Sequence, residues 1–220
     1  LCIAAGNTSL GLFEELVRMN KNGEIDFSKA HFVAMDEWLN MNLSTEGSCS
    51  SFLYENFFRH VNVPQQHIRY VDGCAKDIGL ECLEIKQLID SFGGIDYLVL
   101  GSGMNGHLAL NEPGVDFASS VHQTGLDAVT QQVGQKYFQS KADLVGGVTI
   151  GIREISGAKR TVLAVNSAHK SEILKKIVES PVTNAIPATI VKQLDNSVIA
   201  CDLEAASLLE DSLVRSSLEE

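Results

Sequence analysis

The stretch GSGMNGHLALNEPG (residues 101–114) places one histidine and one glutamate among four glycines. An imidazole can change its charge near neutral pH, and a nearby carboxylate can orient it or share its proton. His107 and Glu112 therefore form a candidate proton-handling pair, in a loop whose glycines let the backbone turn sharply beside a ligand. The alternative is structural: His107 is then an ordinary loop histidine and Glu112 a surface acid.

Two further carboxylates, Asp36 and Glu37, close the apolar segment HFVAMDEW (31–38). A carboxylate that is partly removed from water can have a raised pKa and can move protons between carbon atoms of a substrate. In the alternative interpretation Asp36 caps a loop and Glu37 is solvated. The sequence alone does not favour either.

The segment AAGNTSLG (4–11) lies where a strand gives way to a helix. Backbone N–H groups and hydroxyls at such a junction suit a phosphate, which makes Gly6, Asn7, Thr8 and Ser9 candidate ligands. The segment matches neither a Walker A loop nor GxGxxG. Helix capping by Thr8 or Ser9, with no ligand, is the alternative.

Two lysines are candidate partners for an anion. Lys170 opens a predicted helix after the apolar run RTVLAVN, and Lys136 lies in GQKYF, inside a long polar stretch that is a candidate lid. A solvated surface position is the alternative for each lysine. Metal binding has little support, because HExxH is absent and His107 and Glu112 have no third ligand nearby in the sequence.

The elements that must position these residues alternate along the chain. Hydrophobic patterns predict strands at 1–6, 31–38, 95–103, 147–152, 160–166 and 196–202, and helices at 9–23, 48–61, 78–94, 168–179 and from about 204. This alternation predicts an α/β fold, a Rossmann-like, mainly parallel sheet with helices on both faces in three α/β/α layers. Ligands bind beyond the carboxyl ends of such strands. We therefore expect the segments after strands one and three, and the acids ending strand two, to meet at one cleft.

Length, charge and cysteine content narrow the range of functions that the chain could have. The 220 residues predict a single domain over 1–220, and the first strand at Leu1 suggests that an N-terminal segment is missing. A formal net charge of −11 argues against nucleic acid or a membrane as partner. Five scattered cysteines are best explained as free thiols in a reducing cytoplasm. The sequence leaves the oligomeric state open, with a homo-oligomer among the options.

Three segments in this order and spacing, AMDEWLNM (34–41), GSGMNGHLALNEPG (101–114) and NSAHK (166–170), resemble the hexosamine-6-phosphate deaminase/isomerases. The similarity covers essentially the whole chain. Within that family, DEW (36–38), GSC (47–49) and NAIPATIV (184–191) look more like the galactosamine-6-phosphate branch than the glucosamine-6-phosphate branch.

The resemblance implies conversion of galactosamine 6-phosphate to tagatose 6-phosphate and ammonia, without cofactor or metal. The alternative substrate is glucosamine 6-phosphate, which would give fructose 6-phosphate. His107 would assist ring opening with Glu112 setting its protonation, and Asp36 would move a proton from C2 to C1. The phosphate would rest on residues 6–9, with Lys170 and Lys136 adding charge.

The chain departs from the pattern of the glucosamine enzymes in several places. Asn105 stands where some members carry an aspartate beside the histidine, and Asn7 where a glycine is usual. Lys136 replaces a usual arginine, so weaker phosphate binding is expected. His122 and Thr124 stand where allosteric hexameric members place basic residues, which implies little activation by an N-acetylated sugar phosphate.

Two rivals remain. 6-Phosphogluconolactonases share the architecture, but typically carry Asp–Glu–Arg in place of DEW and lack NEPG. A non-catalytic sugar-phosphate sensor would bind the aminosugar phosphate without releasing ammonia. Related regulators carry a helix-turn-helix segment, and no basic recognition helix is visible in the sequence.

Overall fold

The computed structural model describes residues 1–210 and 213 of the chain. Its strands are β1 (Cys2–Ile3), β2 (Phe32–Val33), β3 (Asp36–Trp38), β4 (Ile68–Arg69), β5 (Leu98–Gly101), β6 (His122–Thr124), β7 (Gly147–Thr149), β8 (Thr161–Val165) and β9 (Ser197–Cys201). Its α-helices are α1 (Leu10–Lys21), α2 (Cys49–Asn56), α3 (Ile78–Ser91), α4 (Ala128–Gly134), α5 (Ile152–Ser156) and α6 (Ser171–Glu179).

The central sheet is parallel, in the order β1–β5–β8–β9. A second parallel pair, β2 with β4, continues it beyond β1, since the Val33 N–H donates to the Leu1 carbonyl at 3.0 Å. Helices α1, α3 and α6 connect successive parallel strands, as the alternating sequence pattern requires. The predicted α/β fold with a mainly parallel sheet is therefore confirmed.

Glycines end two of these helices, as predicted. After α1, the Gly23 N–H bonds to the Asn20 carbonyl and the Glu24 N–H to the Met19 carbonyl, the hydrogen-bond pattern of a Schellman motif. Gly23 has a φ of 73°, a left-handed conformation that glycine adopts without a steric penalty. The end of α3 at Gly93 repeats the pattern. Serine capping of α2 is also confirmed, because the Ser48 hydroxyl accepts the Ser51 N–H.

The prediction of one strand over 31–38 is wrong. The segment contains two strands in different sheets: β2 belongs to the parallel layer, whereas β3 pairs antiparallel with β7 in a sheet of order β3–β7–β6. Ala34 and Met35 bridge the two, since the Ala34 N–H bonds to the Arg69 carbonyl and the Met35 carbonyl accepts the Ile150 N–H. Asp36 therefore lies on the antiparallel strand β3 and not on a strand of the parallel sheet.

Other predicted elements end early or change type. The strand expected at 147–152 stops at Thr149, and α5 begins at Ile152. Near 204 the described residues form a 3₁₀ helix at Ala205–Leu208, and the remainder of the predicted terminal helix extends into residues outside the described ones. Strands β4 and β6 and helices α4 and α5 were not predicted.

The core fills the space between sheet and helices. Phe13, Phe32 and Phe57 are almost completely buried, and the rings of Phe13 and Phe57 stack at 5.2 Å between centroids. A smaller cluster of Trp38, Met41, Leu110 and Leu144 lies under the antiparallel sheet. No helix in the described residues is both long and apolar enough to cross a membrane.

Candidate active site

A cavity of about 380 Å³ opens at the carboxyl ends of β1, β5 and β8. Eight of the ten predicted site residues line it: Gly6, Asn7, Thr8, Ser9, Asp36, His107, Lys136 and Lys170. The other two, Asn105 and Glu112, lie behind His107 and are hydrogen-bonded to it or to each other. The structure thus places eight of the ten residues around one cavity and the other two directly behind His107. The volume of the cavity lies within the range of about 300–1,000 Å³ common for small-molecule sites.

Asp36 enters the cavity from β3. Burial raises the pKa of its carboxyl from 3.8 to about 6, and the Cys49 thiol lowers it by hydrogen bonding. The negative charge of Glu37 adds to the rise and the charge of His107 opposes it. A carboxyl with this pKa is ionised at neutral pH and is a stronger base than an ordinary aspartate.

Glu37 is fully buried, so the interpretation in which it is solvated is wrong. Its carboxylate accepts the backbone N–H groups of Trp38, Cys49 and Ser50, each at 2.9 Å. Two of those donors are the first residues of α2, where unpaired N–H groups favour a negative charge. The hydrogen bonds of Glu37 therefore link β3 to the start of α2. Burial, the dominant effect, still leaves its pKa above the ordinary value.

His107 is held by a tight loop between β5 and Asn111. A Cβ at position 103 would collide with Nε2 and the neighbouring ring atoms of His107, so the glycine at this position makes room for the ring. Ala109, two residues further on, has a φ of 52°, which is rare for a residue other than glycine and is often tolerated at functional sites. This backbone brings the imidazole to the cavity.

Thr130 of α4 joins the polar groups behind the imidazole, and sequence reasoning missed it. Its Oγ1 lies 3.1 Å from His107 Nδ1 and 3.4 Å from Asn105 Nδ2. His107 Nδ1 also lies 3.4 Å from Glu112 Oε2. Because a carboxylate only accepts, Nδ1 carries the proton in that bond, which leaves Nε2 on the cavity side as the basic nitrogen.

Asn105 holds Glu112 and the backbone of His107 in place through two hydrogen bonds. Its Nδ2 donates to Glu112 Oε2 at 2.7 Å, and its Oδ1 accepts the His107 backbone N–H at 3.2 Å. Burial raises the pKa of the Glu112 carboxyl, but the hydrogen bond and charge of His107, with hydrogen bonds from Thr130 and Asn105, bring it below the ordinary value. Glu112 is therefore an anion beside the imidazole.

The opposite end of the cavity is basic. Lys170 donates to Thr8 Oγ1 at 3.1 Å, and burial, followed by the charge of Lys136, lowers the pKa of Lys170 to about 8. Gly6 has a φ of 116° and turns the backbone of residues 6–9 toward the cavity. Two lysines close enough to repel one another, beside the Thr8 hydroxyl and the loop at residues 6–9, form a site suited to a phosphate.

Ser9 differs from the rest of this loop. Its hydroxyl donates to the Ala4 carbonyl at 2.7 Å and makes no capping hydrogen bond to α1. Thr8 likewise accepts from Lys170 rather than capping the helix. The capping alternative is therefore wrong for both hydroxyls. Residues 1–210 and 213 contain no group of three or more His, Cys, Asp or Glu side chains placed to hold a metal ion.

Helix α4 and the turn after it cover one side of the cavity. Trp38 supports α4 from below, 3.5 Å from where a Cβ at Gly134 would lie. Beyond α4, Lys136 and Tyr137 lie in a 3₁₀ turn at Gln135–Tyr137 and line the cavity. This segment is the polar stretch that the sequence suggests as a lid. The sequence around Thr130 contains no motif that would mark it as a site residue.

An α/β fold with a cavity at the carboxyl ends of its parallel strands, into which a few charged and polar side chains converge, is typical of enzymes that act on small molecules. The family model described as glucosamine-6-phosphate isomerases/6-phosphogluconolactonase matches residues 1–200. The chain belongs to this family of enzymes.

Two relatives extend over nearly the whole chain. The glucosamine-6-phosphate deaminase of Clostridium botulinum (strain Hall) is 34% identical over 210 residues, which is 95% of this chain and 86% of the relative. The solved structure of a monomeric glucosamine-6-phosphate deaminase is 30% identical, with a TM-score of 0.90 over 94% of this chain and 86% of that one. The 6-phosphogluconolactonase of Thermotoga maritima shares the fold, with a TM-score of 0.71 and 21% identity over 91% of this chain and 83% of that one.

Proposed function

We propose that this chain converts glucosamine 6-phosphate and water to fructose 6-phosphate and ammonia. The observation that carries the proposal is the shared cavity: Asp36 and His107 line it together, and Lys136, Lys170 and the loop at residues 6–9 line its basic end. A phosphosugar held by its phosphate at that end would present its ring carbons to the acid–base groups. The deaminases that match along the chain's length support this substrate class.

Ring opening is the first proposed step. Opening a cyclic aminosugar requires proton removal from the C1 hydroxyl and proton delivery to the ring oxygen. His107 would accept the hydroxyl proton at Nε2 and then donate it to the ring oxygen, while Glu112 stabilises the imidazolium. General acid–base groups of this kind contribute about 10²–10⁴-fold to a rate.

Isomerisation and deamination would follow on the open chain. Asp36 would take the proton from C2 while the C1 oxygen takes one from solvent, leaving an enolamine, and Asp36 would then return its proton to C1. The resulting ketimine at C2 adds water and expels ammonia, which gives the ketose. The raised pKa of Asp36 suits this work, since the carboxylate is ionised at pH 7 and its basicity is increased.

Galactosamine 6-phosphate, with tagatose 6-phosphate as product, remains the second candidate substrate because of the three motifs that favour it. Two of these motifs, DEW and GSC, contribute Asp36, Trp38 and residues 47–49 to the cavity wall. The third, NAIPATIV, packs behind the His107 loop, where the Ala188 N–H bonds to the Gly106 carbonyl. It contributes no residue to the cavity lining, so it is not placed to distinguish the C4 epimers, and the names of the relatives favour glucosamine 6-phosphate.

Lactone hydrolysis has less support. Trp38, at the position where lactonases typically carry an arginine, is buried with Met41, Leu110 and Leu144 and supplies no charge. The lactonase comparison at 21% identity concerns the fold alone. A sensor without catalysis would have no use for the hydrogen-bonded set of His107, Glu112, Asn105 and Thr130.

The decisive test is ammonia release from glucosamine 6-phosphate and galactosamine 6-phosphate, assayed side by side with identification of the ketose. We expect ammonia and fructose 6-phosphate from the first substrate. Faster release from the second would make the galacto epimer the substrate. No ammonia from either would contradict the proposal, and hydrolysis of 6-phosphogluconolactone by the same preparation would then identify a lactonase.

A further inference from the structure

Tyr137 reaches from the turn after α4 across to the loop that follows β1. A Cβ built on Gly6 would lie 2.8 Å from the Tyr137 hydroxyl, so this oxygen rests directly on the candidate phosphate loop. The backbone N–H of Asn7 faces the same hydroxyl and lowers its pKa, while burial, the larger effect, raises it. Glycine at position 6 suits this approach, because a side chain there would displace the phenol and the φ of 116° is rarely adopted by other residues.

The ring of Tyr137 is held independently of its hydroxyl. It packs edge-on against Phe52 with 5.8 Å between centroids, and Lys136 Nζ lies 5.0 Å above the ring. A Cβ at Gly47 would lie 2.5 Å from the Tyr137 carbonyl, so the turn is also packed closely against the GSC segment. The position of the phenol is therefore set by contacts of its ring and of its backbone that a phenylalanine would keep.

A phenolic hydroxyl can accept one hydrogen bond and still donate its own hydrogen. Accepting from Asn7 would leave that hydrogen available on a cavity wall shared with Lys136, Lys170 and Thr8. Phosphate oxygens accept such hydrogen bonds strongly, because a charged acceptor makes them shorter and stronger than neutral pairs.

We propose that the Tyr137 hydroxyl is a direct ligand of the phosphate group of the substrate, linking the lid segment to the loop at residues 6–9. It supplies a neutral donor beside Lys136, which offers a single charged centre rather than the fork of an arginine. This inference rests on the proposed function only in taking a sugar phosphate as the ligand. It adds a binding residue that couples phosphate occupancy to the position of the turn at residues 135–137.

The test compares the parent chain with Tyr137→Phe, which removes the hydroxyl and keeps the ring. Inorganic phosphate and fructose 6-phosphate are titrated into each protein by calorimetry, and steady-state rates are measured with glucosamine 6-phosphate. We expect both dissociation constants and KM to rise about tenfold, as for loss of a hydrogen bond to a charged group, with kcat within about twofold. Tyr97→Phe, an exposed tyrosine outside the cavity, is the matched control and should change nothing.

Several outcomes overturn the inference. Equal phosphate affinity in the parent and Tyr137→Phe shows that the hydroxyl is not a ligand, and tighter binding in the variant shows that it obstructs the loop instead. Failure of the parent chain to bind either phosphate compound also overturns it. Calorimetry does not depend on turnover, so weakened phosphate binding without ammonia release from either aminosugar would refute the proposed function and support the role of Tyr137.

Discussion

The carboxylate of Glu37 accepts a hydrogen bond from the backbone N–H of Ser50, with 2.9 Å between Oε2 and N and both residues fully buried. Thirteen residues separate the two in sequence, and their contact joins β3 to the first turn of α2. Since Asp36 immediately precedes Glu37, the position of the proposed catalytic carboxylate depends on this anchor. Cys49, whose N–H donates to the other Glu37 oxygen, is brought to Asp36 by the same contact.

Glu37→Gln should therefore disturb both stability and catalysis. The amide keeps one acceptor oxygen, but its NH₂ group cannot accept the remaining N–H, so a buried donor is left unpaired. We expect a loss of about 1–3 kcal/mol in the free energy of unfolding, measured with urea, and a lower kcat. Glu55→Gln, on the exposed face of α2, should leave both within error. An unchanged Glu37→Gln protein would show that the anchor is dispensable.

Thr130 is expected to act through the orientation of His107. Thr130→Val removes the hydroxyl 3.1 Å from Nδ1 while keeping the shape of the side chain, and Thr130→Ser restores it. We expect kcat/KM for the cyclic substrate to fall about tenfold or more in the valine variant, with a displaced pH–rate profile, and to recover in the serine variant. If serine and valine behave alike, Thr130 serves packing alone.

Asp36→Asn should inactivate the protein and stabilise it. Without the carboxylate, exchange of the C2 hydrogen with solvent should stop, while binding of inorganic phosphate stays near normal. The pKa of Asp36 is raised from 3.8 to about 6, so ionisation opposes folding at pH 7 by up to about 3 kcal/mol, which the neutral amide avoids.

The effect of Asp36→Asn on the free energy of unfolding should depend on pH. A raised folded-state pKa means that the contribution of Asp36 to stability is fully present below the unfolded value of 3.8 and is lost as the pH rises through about 6. The stability advantage of Asp36→Asn should therefore be largest at pH 7 and shrink between pH 6 and pH 4. Urea unfolding at these pH values measures it. An advantage that is independent of pH would contradict the assigned pKa.

Allosteric activation is expected to be weak. His122 stands where allosteric members carry a basic residue, and its Nδ1 is engaged with the Ser120 carbonyl at 2.7 Å. We expect N-acetylglucosamine 6-phosphate to leave the rate curve for glucosamine 6-phosphate unchanged. A sigmoidal curve that this ligand makes hyperbolic would refute the expectation.

The sequence predicts the parts of this molecule that depend on local chemistry. The glycine ends of α1 and α3 follow from left-handed backbone at Gly23 and Gly93, which few other residues adopt. Convergence of the loops on one cleft follows from the parallel order of the strands.

Features that depend on distant partners could not be predicted in this way. An apolar run such as residues 31–38 favours extended backbone whichever sheet it joins, so the division into β2 and β3 has no local signal. The burial of Glu37 depends on N–H groups 12 and 13 residues away, and Thr130 meets His107 across 23 residues. Their roles become visible only when these elements pack together.

Lys170 makes phosphate binding sensitive to pH in a definite direction. Burial and the charge of Lys136 lower its pKa to about 8, so the unliganded protein loses this positive charge as the pH rises from 7 to 9. Fructose 6-phosphate lacks the titrating amino group of the substrate, and its inhibition constant should rise up to about tenfold over that interval. In Lys170→Gln the constant should be high throughout and nearly independent of pH, whereas Lys176→Gln, an exposed lysine of α6, should follow the parent. A parent inhibition constant that stays level from pH 7 to pH 9 would remove Lys170 from the phosphate site.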